Sequence, residues 1–289
     1  MRSNVADYSL VAPPTLPEAL KLLASDHGLT PIAGGTELMV ALSAGRLPQK
    51  NLLSINHLRE LRFIDVHPDT ITIGSGATFT DIRRHEAIAE DLPLLTQAAS
   101  WTGSIANQNR GTLGGNIVNA SPAADTPPAL LAYGATLTLM SASGTRTMPY
   151  SMFHLGYKKT ALAPDELLYS VTVPRNWAGY RSYIRKVGTR NAQAISKVAI
   201  AALAKTEGGG IADIRIGGAS LRETPARCTA TEQALIHQPI TPATVPNLVL
   251  AAREALATEV QPIDDIRSSA KYRAAVAANL VEEFVRSLV

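Results

Sequence analysis

The sequence predicts an α+β chain built in three successive regions, and three observations carry that expectation. Helical and strand-like apolar stretches alternate over the first sixty residues. Turn signals at His67-Pro68-Asp69 and Ser143-Gly144 then separate strand-like runs in the middle of the chain. Finally, a Gly208-Gly209-Gly210 turn precedes an alanine-rich helical tail.

The elements follow in order. Thr15-Leu16-Pro17-Glu18 has the pattern of a capping box with proline in the first turn. Leu16, Ala19, Leu20, Leu22 and Leu23 continue it as a helical stripe that stops at Gly28. A short strand at 30–33 runs into Gly34-Gly35-Thr36, a second helical stretch follows, and 52–56 reads as another strand. This βα alternation predicts a small α/β layer over residues 1–58. Residues 61–66 and 70–74 flank the first turn as a hairpin, and helical segments lie near 80–90 and 93–102. A second hairpin spans 135–141 and 145–149, and a strand at 167–173 ends on Pro174. These elements form a second subdomain at 59–176. Beyond it, 180–187, 197–205 and 211–220 read as a three-stranded meander. The tail carries Val276, Leu280, Phe284 and Leu288 on one helical stripe. The expected division is therefore 1–176 and 177–289.

Composition narrows the chemistry. With 27 basic and 24 acidic residues the net charge is +3, and the basic residues occur in pairs rather than runs. Aromatics make up 5% of the chain, too few for a platform that stacks single-stranded nucleic acid. No nucleic-acid partner is expected. The single Cys228 excludes an intrachain disulfide and any self-contained iron–sulfur cluster, which needs about four thiolates. No metal-ligand spacing appears. The N-terminal segment meets Asp7 and then Pro13-Pro14 before an apolar run develops, and the uncharged stretches 126–145 and 233–252 are broken by prolines. The expectation is a cytoplasmic protein with no membrane span.

Walker A, H-E-x-x-H and G-x-S-x-G motifs are absent, and Gly74-Ser75-Gly76 lacks the third glycine of a dinucleotide fingerprint. Adjacent carboxylates at Asp264-Asp265 and Glu282-Glu283 cannot face each other across a substrate, and like His85-Glu86 they read as solvated surface. Two glycine loops stand out instead. One is Ile32-Ala33-Gly34-Gly35-Thr36-Glu37-Leu38; the other is Gly111-Thr112-Leu113-Gly114-Gly115-Asn116, followed by Asp125. Glycines let successive backbone N–H groups approach an anion, and Thr36, Thr112 and Asn116 add neutral donors. Asp125 can accept from ribose hydroxyls. Paired glycines also build ordinary turns, so the residues alone leave both readings open.

These loops, with Ala120-Ser121-Pro122-x-x-Asp125-x-x-Pro128, resemble the FAD-binding medium subunit of the molybdenum hydroxylases, the xanthine dehydrogenase and carbon monoxide dehydrogenase family. Gly156-Tyr157-Lys158-Lys159-Thr160 resembles the xanthine dehydrogenase branch, and Arg267-Ser268-Ser269-Ala270-x-Tyr272-Arg273 resembles the family's C-terminal domain. The resemblance implies a p-cresol methylhydroxylase-type FAD fold of two α/β subdomains, plus a C-terminal α+β domain. It implies that 32–39 and 112–116 are diphosphate loops and that Asp125 binds FAD. Thr102, Leu168 and Lys186 would then lie at the flavin. One departure is Gln108, where relatives often carry arginine. No catalytic side chain is implied, because the cofactor does the chemistry. The partners would be a large subunit holding the molybdenum–pterin cofactor and a small subunit holding two [2Fe-2S] clusters. They would form a heterotrimer or a dimer of heterotrimers, with NAD+ or another carrier as acceptor and a purine or related N-heterocycle as substrate. Two other readings stay open: a stand-alone FAD reductase like UDP-N-acetylenolpyruvoylglucosamine reductase, and a non-catalytic assembly subunit.

Overall fold

The computed structural model describes residues 4–26, 28–190 and 192–289. The first layer holds β1 (Ser9–Val11), α1 (Leu16–Ser25), β2 (Thr30–Ile32), α2 (Leu38–Ser43) and β3 (Asn51–Ser54). Its strands run parallel in the order β1-β3-β2. Thr15 caps α1 by accepting from the Glu18 N–H, and Leu16, Ala19, Leu20 and Leu23 pack beneath it against Leu53, Leu58 and Leu61. Ligand sites in such sheets open beyond the carboxyl ends of the strands. Here those ends deliver 33–38 from β2 and Ile55-Asn56 from β3 to one cleft.

The second layer contains β4 (Ile64–Val66), β5 (Thr70–Gly74), α3 (Phe79–Arg84), α4 (Glu86–Asp91), α5 (Pro93–Trp101), α6 (Ile105–Gln108), α7 (Leu113–Val118) and α8 (Pro127–Ala132). It continues through β6 (Thr136–Ser141), β7 (Gly144–Pro149), β8 (His154–Gly156), β9 (Lys159–Thr160) and β10 (Leu167–Pro174). Five of these strands form an antiparallel sheet in the order β4-β5-β10-β6-β7. Ile71, Ile73, Leu137, Leu139, Val171 and Val173 share one core with the helical residues Phe79, Ile82, Leu95 and Leu130 and with Tyr133, which ends α8. The helix expected near 80–90 is broken. Thr78 and Asp81 close a capping box on α3, and His85 turns extended (ψ 117°) before α4 begins. The strand expected from 61 starts at Ile64, because Arg59–Leu61 form a 3₁₀ turn that buries Leu61.

The third layer has β11 (Arg181–Val187), β12 (Val198–Glu207), β13 (Gly210–Ala219), β14 (Ala226–Arg227), α9 (Thr229–Leu235), α10 (Val245–Glu259) and α11 (Ala270–Arg286). The sheet is four-stranded, not the three-stranded meander that the sequence suggests. Residues 226–227 pair with Gly217 and Gly218, a strand too short for any periodic pattern to reveal. The apolar run at 198–204 follows from burial on both faces. Ile200 and Ala202 pack toward α10 and α11, while Ala201 and Leu203 join the core of the second layer. A Cβ on Gly217 would meet the Pro128 carbonyl oxygen at 2.2 Å, so β13 and α8 touch backbone to backbone. The third layer is thereby seated on the second.

Candidate functional site

All three layers wall a cleft of about 1530 Å³. The first loop enters it directly from β2, and Gly35 turns it with φ of +72°, a conformation glycine adopts without strain. Among the described residues, the backbone N–H groups of Gly34, Gly35, Thr36, Glu37 and Leu38 have no acceptor in the chain. Five consecutive unpaired donors on residues that line the cleft are the chemistry an anion needs. Lys158 stands beside them. Its ammonium donates to the carbonyl and the side-chain oxygen of Asn119 at 2.8 Å each. Burial pushes that ammonium down, and the Glu37 carboxylate opposes the shift.

The second loop is built differently. Thr112 caps α7, its hydroxyl accepting from the Gly115 N–H at 3.0 Å. The N–H groups of Leu113, Gly114 and Asn116 are taken by the carbonyls of Ala77, Ser75 and Thr112. No free N–H array is left for a diphosphate here. The glycines serve chain crossings instead. A Cβ on Gly114 would lie 2.5 Å from the Ser75 Cβ, and one on Gly111 2.9 Å from the Phe79 ring. Gly34 belongs with them, because its Cβ would meet the Arg110 carbonyl oxygen at 1.8 Å, which locks the two loops together. Gly115 is the exception. It is exposed at the cleft, and the nearest atom to an added Cβ is its own capping hydroxyl. Asn116 accepts from the Thr126 hydroxyl at 2.6 Å through Oδ1, which turns its amide nitrogen free as a donor at the cleft.

Asp125 faces the same cleft while its side chain is only 11% exposed. Lys186 donates to its Oδ2 at 2.7 Å and Ser196 to its Oδ1 at 2.7 Å. Burial pushes the Asp125 carboxyl up, against the pull of both donors. A carboxylate has roughly four acceptor sites, so two remain for a ligand.

Of the residues expected at the site, Ala33–Leu38, Thr102, Gly111, Thr112, Gly114–Asn116, Asp125 and Leu168 do line the cleft. Ile32, Leu113 and Lys186 do not. Ile32 lies behind Gly35, Leu113 is fully buried in the core, and Lys186 acts only through Asp125 and the Trp101 carbonyl. Gln108 is buried and donates to the Ser100 carbonyl at 2.8 Å, so it supports the end of α5 rather than facing the cleft. Asp265, expected as solvated surface, lines the cleft and pairs with Arg267 and Arg273. Sequence reasoning missed Ser75, Asn119, Ser196 and Ser220. Ser75 belongs to Gly74-Ser75-Gly76 and Asn119 directly precedes Ala120-Ser121-Pro122, whereas Ser196 and Ser220 belong to no motif.

The family described as FAD binding domain in molybdopterin dehydrogenase matches residues 6–176, and that described as CO dehydrogenase flavoprotein C-terminal domain matches 183–288. The chain belongs to the FAD-binding subunits of the molybdopterin dehydrogenases. The glyceraldehyde dehydrogenase medium chain of Sulfolobus acidocaldarius is 31% identical over 267 residues, 92% of this chain and 93% of that relative. The xanthine dehydrogenase FAD-binding subunit of Escherichia coli O157:H7 is 29% identical over 290 residues, covering 99% and 97%. In solved form, a carbon monoxide dehydrogenase from Hydrogenophaga pseudoflava superposes with a TM-score of 0.91 at 28% identity, covering 98% of this chain and 96% of that one. The cleft fits the family's cofactor. Its volume exceeds the roughly 300–1,000 Å³ of ordinary ligand pockets, its free N–H array suits a diphosphate, and the open side of Gly115 is space a Cβ would fill.

Proposed function

We propose that this chain is the FAD-carrying electron-transfer subunit of a multi-subunit molybdenum hydroxylase. It would take electrons from [2Fe-2S] clusters on a small partner subunit and pass them to an acceptor such as NAD+. A large partner would hold the molybdenum–pterin centre where substrate is hydroxylated. The observation that carries the proposal is the free N–H array of Gly34–Leu38 facing the same cleft as buried Asp125.

FAD, when bound, supplies the ability to accept electrons singly and release them as a pair. The chain's own residues hold and orient it. The 34–38 donors take the diphosphate, and Gly115 opens space beside it. The Asn116 amide donates from the second loop, and Asp125 accepts from the ligand through its remaining lone pairs. Thr102 and Leu168 face the flavin. Ile32 and Leu113 support the loops from behind, and Lys186 holds Asp125. The reading places the FAD-binding unit at 1–176 and the second unit at 177–289, in a cytoplasmic heterotrimer or its dimer. The single cysteine supports partner-borne clusters, since this chain cannot ligate one.

Visible absorption of the purified chain tests the first step: added FAD should produce bound-flavin bands that survive desalting. Absence of those bands defeats the proposal. Co-purification tests the second. The tagged chain should bring down an iron–sulfur protein and a molybdenum protein, and a chain that stays alone and turns over a nicotinamide with its own substrate overturns the complex.

A further inference from the structure

We propose that Ser196 is a positioning residue for the cofactor, acting through Asp125 by fixing the plane of its carboxylate. The inference rests on the FAD reading above. Asp125 lies on a segment, 121–125, that lines the cleft, and that segment is tied down from the third layer. The Ser220 N–H donates to the Pro122 carbonyl at 2.7 Å, and the Ser220 hydroxyl donates to the Ser196 carbonyl at 2.9 Å. Ser196 in turn donates its hydroxyl to Asp125 Oδ1. Ser196 is only 1% exposed and Ser220 7%, so solvent offers no ready substitute for either bond.

The two donors to Asp125 have different capacities. Lys186 comes from β11, is anchored on the Trp101 carbonyl at 3.0 Å and meets only one carboxylate oxygen, so it balances the carboxylate's charge without fixing its rotation. The terminal torsion of an aspartate is broad and roughly two-fold. With Lys186 alone, the carboxylate pivots about a single contact. Ser196 supplies the second contact from the loop before β12, held rigid by Ser220. Two anchored oxygens define the plane, and the plane sets where the two free lone pairs point into the cleft. Lys186 therefore supplies charge and Ser196 supplies direction.

The experiment uses the full-length chain, titrated with FAD and followed by quenching of flavin fluorescence and by visible circular dichroism of the bound flavin. Ser196→Ala should weaken binding about tenfold, a change of about 1.4 kcal/mol, and alter the bound-flavin dichroism. Ser196→Thr keeps the hydroxyl and should restore both. Unfolding of the FAD-free variants is measured alongside, because a purely structural role lowers that stability and leaves the dichroism unchanged. Wild-type affinity and dichroism in Ser196→Ala overturn the inference while leaving the FAD reading intact. A threonine variant as stable as wild type yet as impaired in binding and dichroism as the alanine one also overturns it, since the hydroxyl then does not restore the cofactor's placement. Failure of the wild-type chain to bind FAD removes the reading and this inference together.

Discussion

Substituting Gly34 and Gly115 by alanine separates two reasons for which a loop can need glycine. In Gly34→Ala the added methyl lies 1.8 Å from the Arg110 carbonyl oxygen and 2.5 Å from its carbonyl carbon, atoms of backbone that cannot rotate away. The loops must part by more than about 1 Å. Overpacking of that kind costs about 1–3 kcal/mol of stability. The same displacement carries the 34–38 donors out of register with their ligand, and a 1 Å misplacement costs about 100-fold in function. In Gly115→Ala the methyl meets only the Thr112 hydroxyl, at 3.0 Å, and alanine adds about 1 kcal/mol of helix propensity. Stability should then hold within about 0.5 kcal/mol, while the methyl occupies cleft space. Urea unfolding and FAD titration of both variants provide the assay. Gly34→Ala should lose stability and affinity together, and Gly115→Ala affinity alone. Equal stability losses, or a Gly34→Ala variant as stable as wild type, would refute the argument that Gly34 is required by loop–loop contact.

Three other outcomes follow from buried groups. Lys186→Met removes the ammonium from an ion pair whose side chains are 9% and 11% exposed, leaving Asp125 buried and uncompensated. The expected loss is about 3–5 kcal/mol in urea unfolding at pH 7, where Lys186→Arg should lose less. His154 accepts from or donates to the Tyr150 hydroxyl at 2.9 Å, and burial pushes its pKa down to about 4. A histidine whose folded pKa lies below the unfolded value of about 6.5 contributes stability that is complete above that value. That stability falls as pH drops toward 4, by about 1–2 kcal/mol once partial exposure is allowed for, and His154→Gln should flatten the slope between pH 6.5 and 4. Burial pushes the Cys228 thiol up, with the Glu259 and Glu232 carboxylates adding to the shift. Native protein should resist alkylation at pH 8, and reaction should track unfolding on addition of urea.

The fold was most legible where local and global preferences agree. The Thr15 cap, the Leu16–Leu23 stripe and the glycine turn at 208–210 are each specified within a few residues, and each forms as expected. What the sequence could not show depends on distant partners. Residues 226–227 become a strand only because β13 lies beside them, and the helix near 80–90 breaks at His85, whose extended backbone ends α3 and begins α4. The site divides in the same way. Both loops are visible as glycine pairs, yet their sequences are nearly interchangeable in composition while their hydrogen bonding is not. The first keeps its N–H groups unpaired although residues 110–111 pack against Gly34, because that contact is made on the side where a Cβ would stand. In the second, Ser75 and Ala77 take the N–H groups of Gly114 and Leu113, and Thr112 takes those of Gly115 and Asn116. Ser196 lies 71 residues from the carboxylate it holds, a relation that no local pattern encodes.

The hydrogen bonding of the second loop gives the two glycine pairs of this chain different work. If both loops served only to donate N–H groups, either could be altered without disturbing the other. Instead Gly34 packs on Arg110, Gly114 packs on Ser75, and Gly115 alone keeps its outer side toward the cleft. On the proposed reading the first loop would provide donors, and the second the rigid surface against which those donors are aligned. The third layer is tied to Asp125 and Pro122 through Lys186, Ser196 and Ser220, so on the proposed reading cofactor affinity would include the free energy of docking residues 181–288 onto the second layer. A ligand at 100 times its dissociation constant stabilises the state that binds it by about 2.7 kcal/mol. FAD should therefore raise the unfolding midpoint of the third layer as well as that of the layers holding the two loops. Uncoupled unfolding, with the 181–288 transition indifferent to FAD, would show that Asp125 is complete without its anchors.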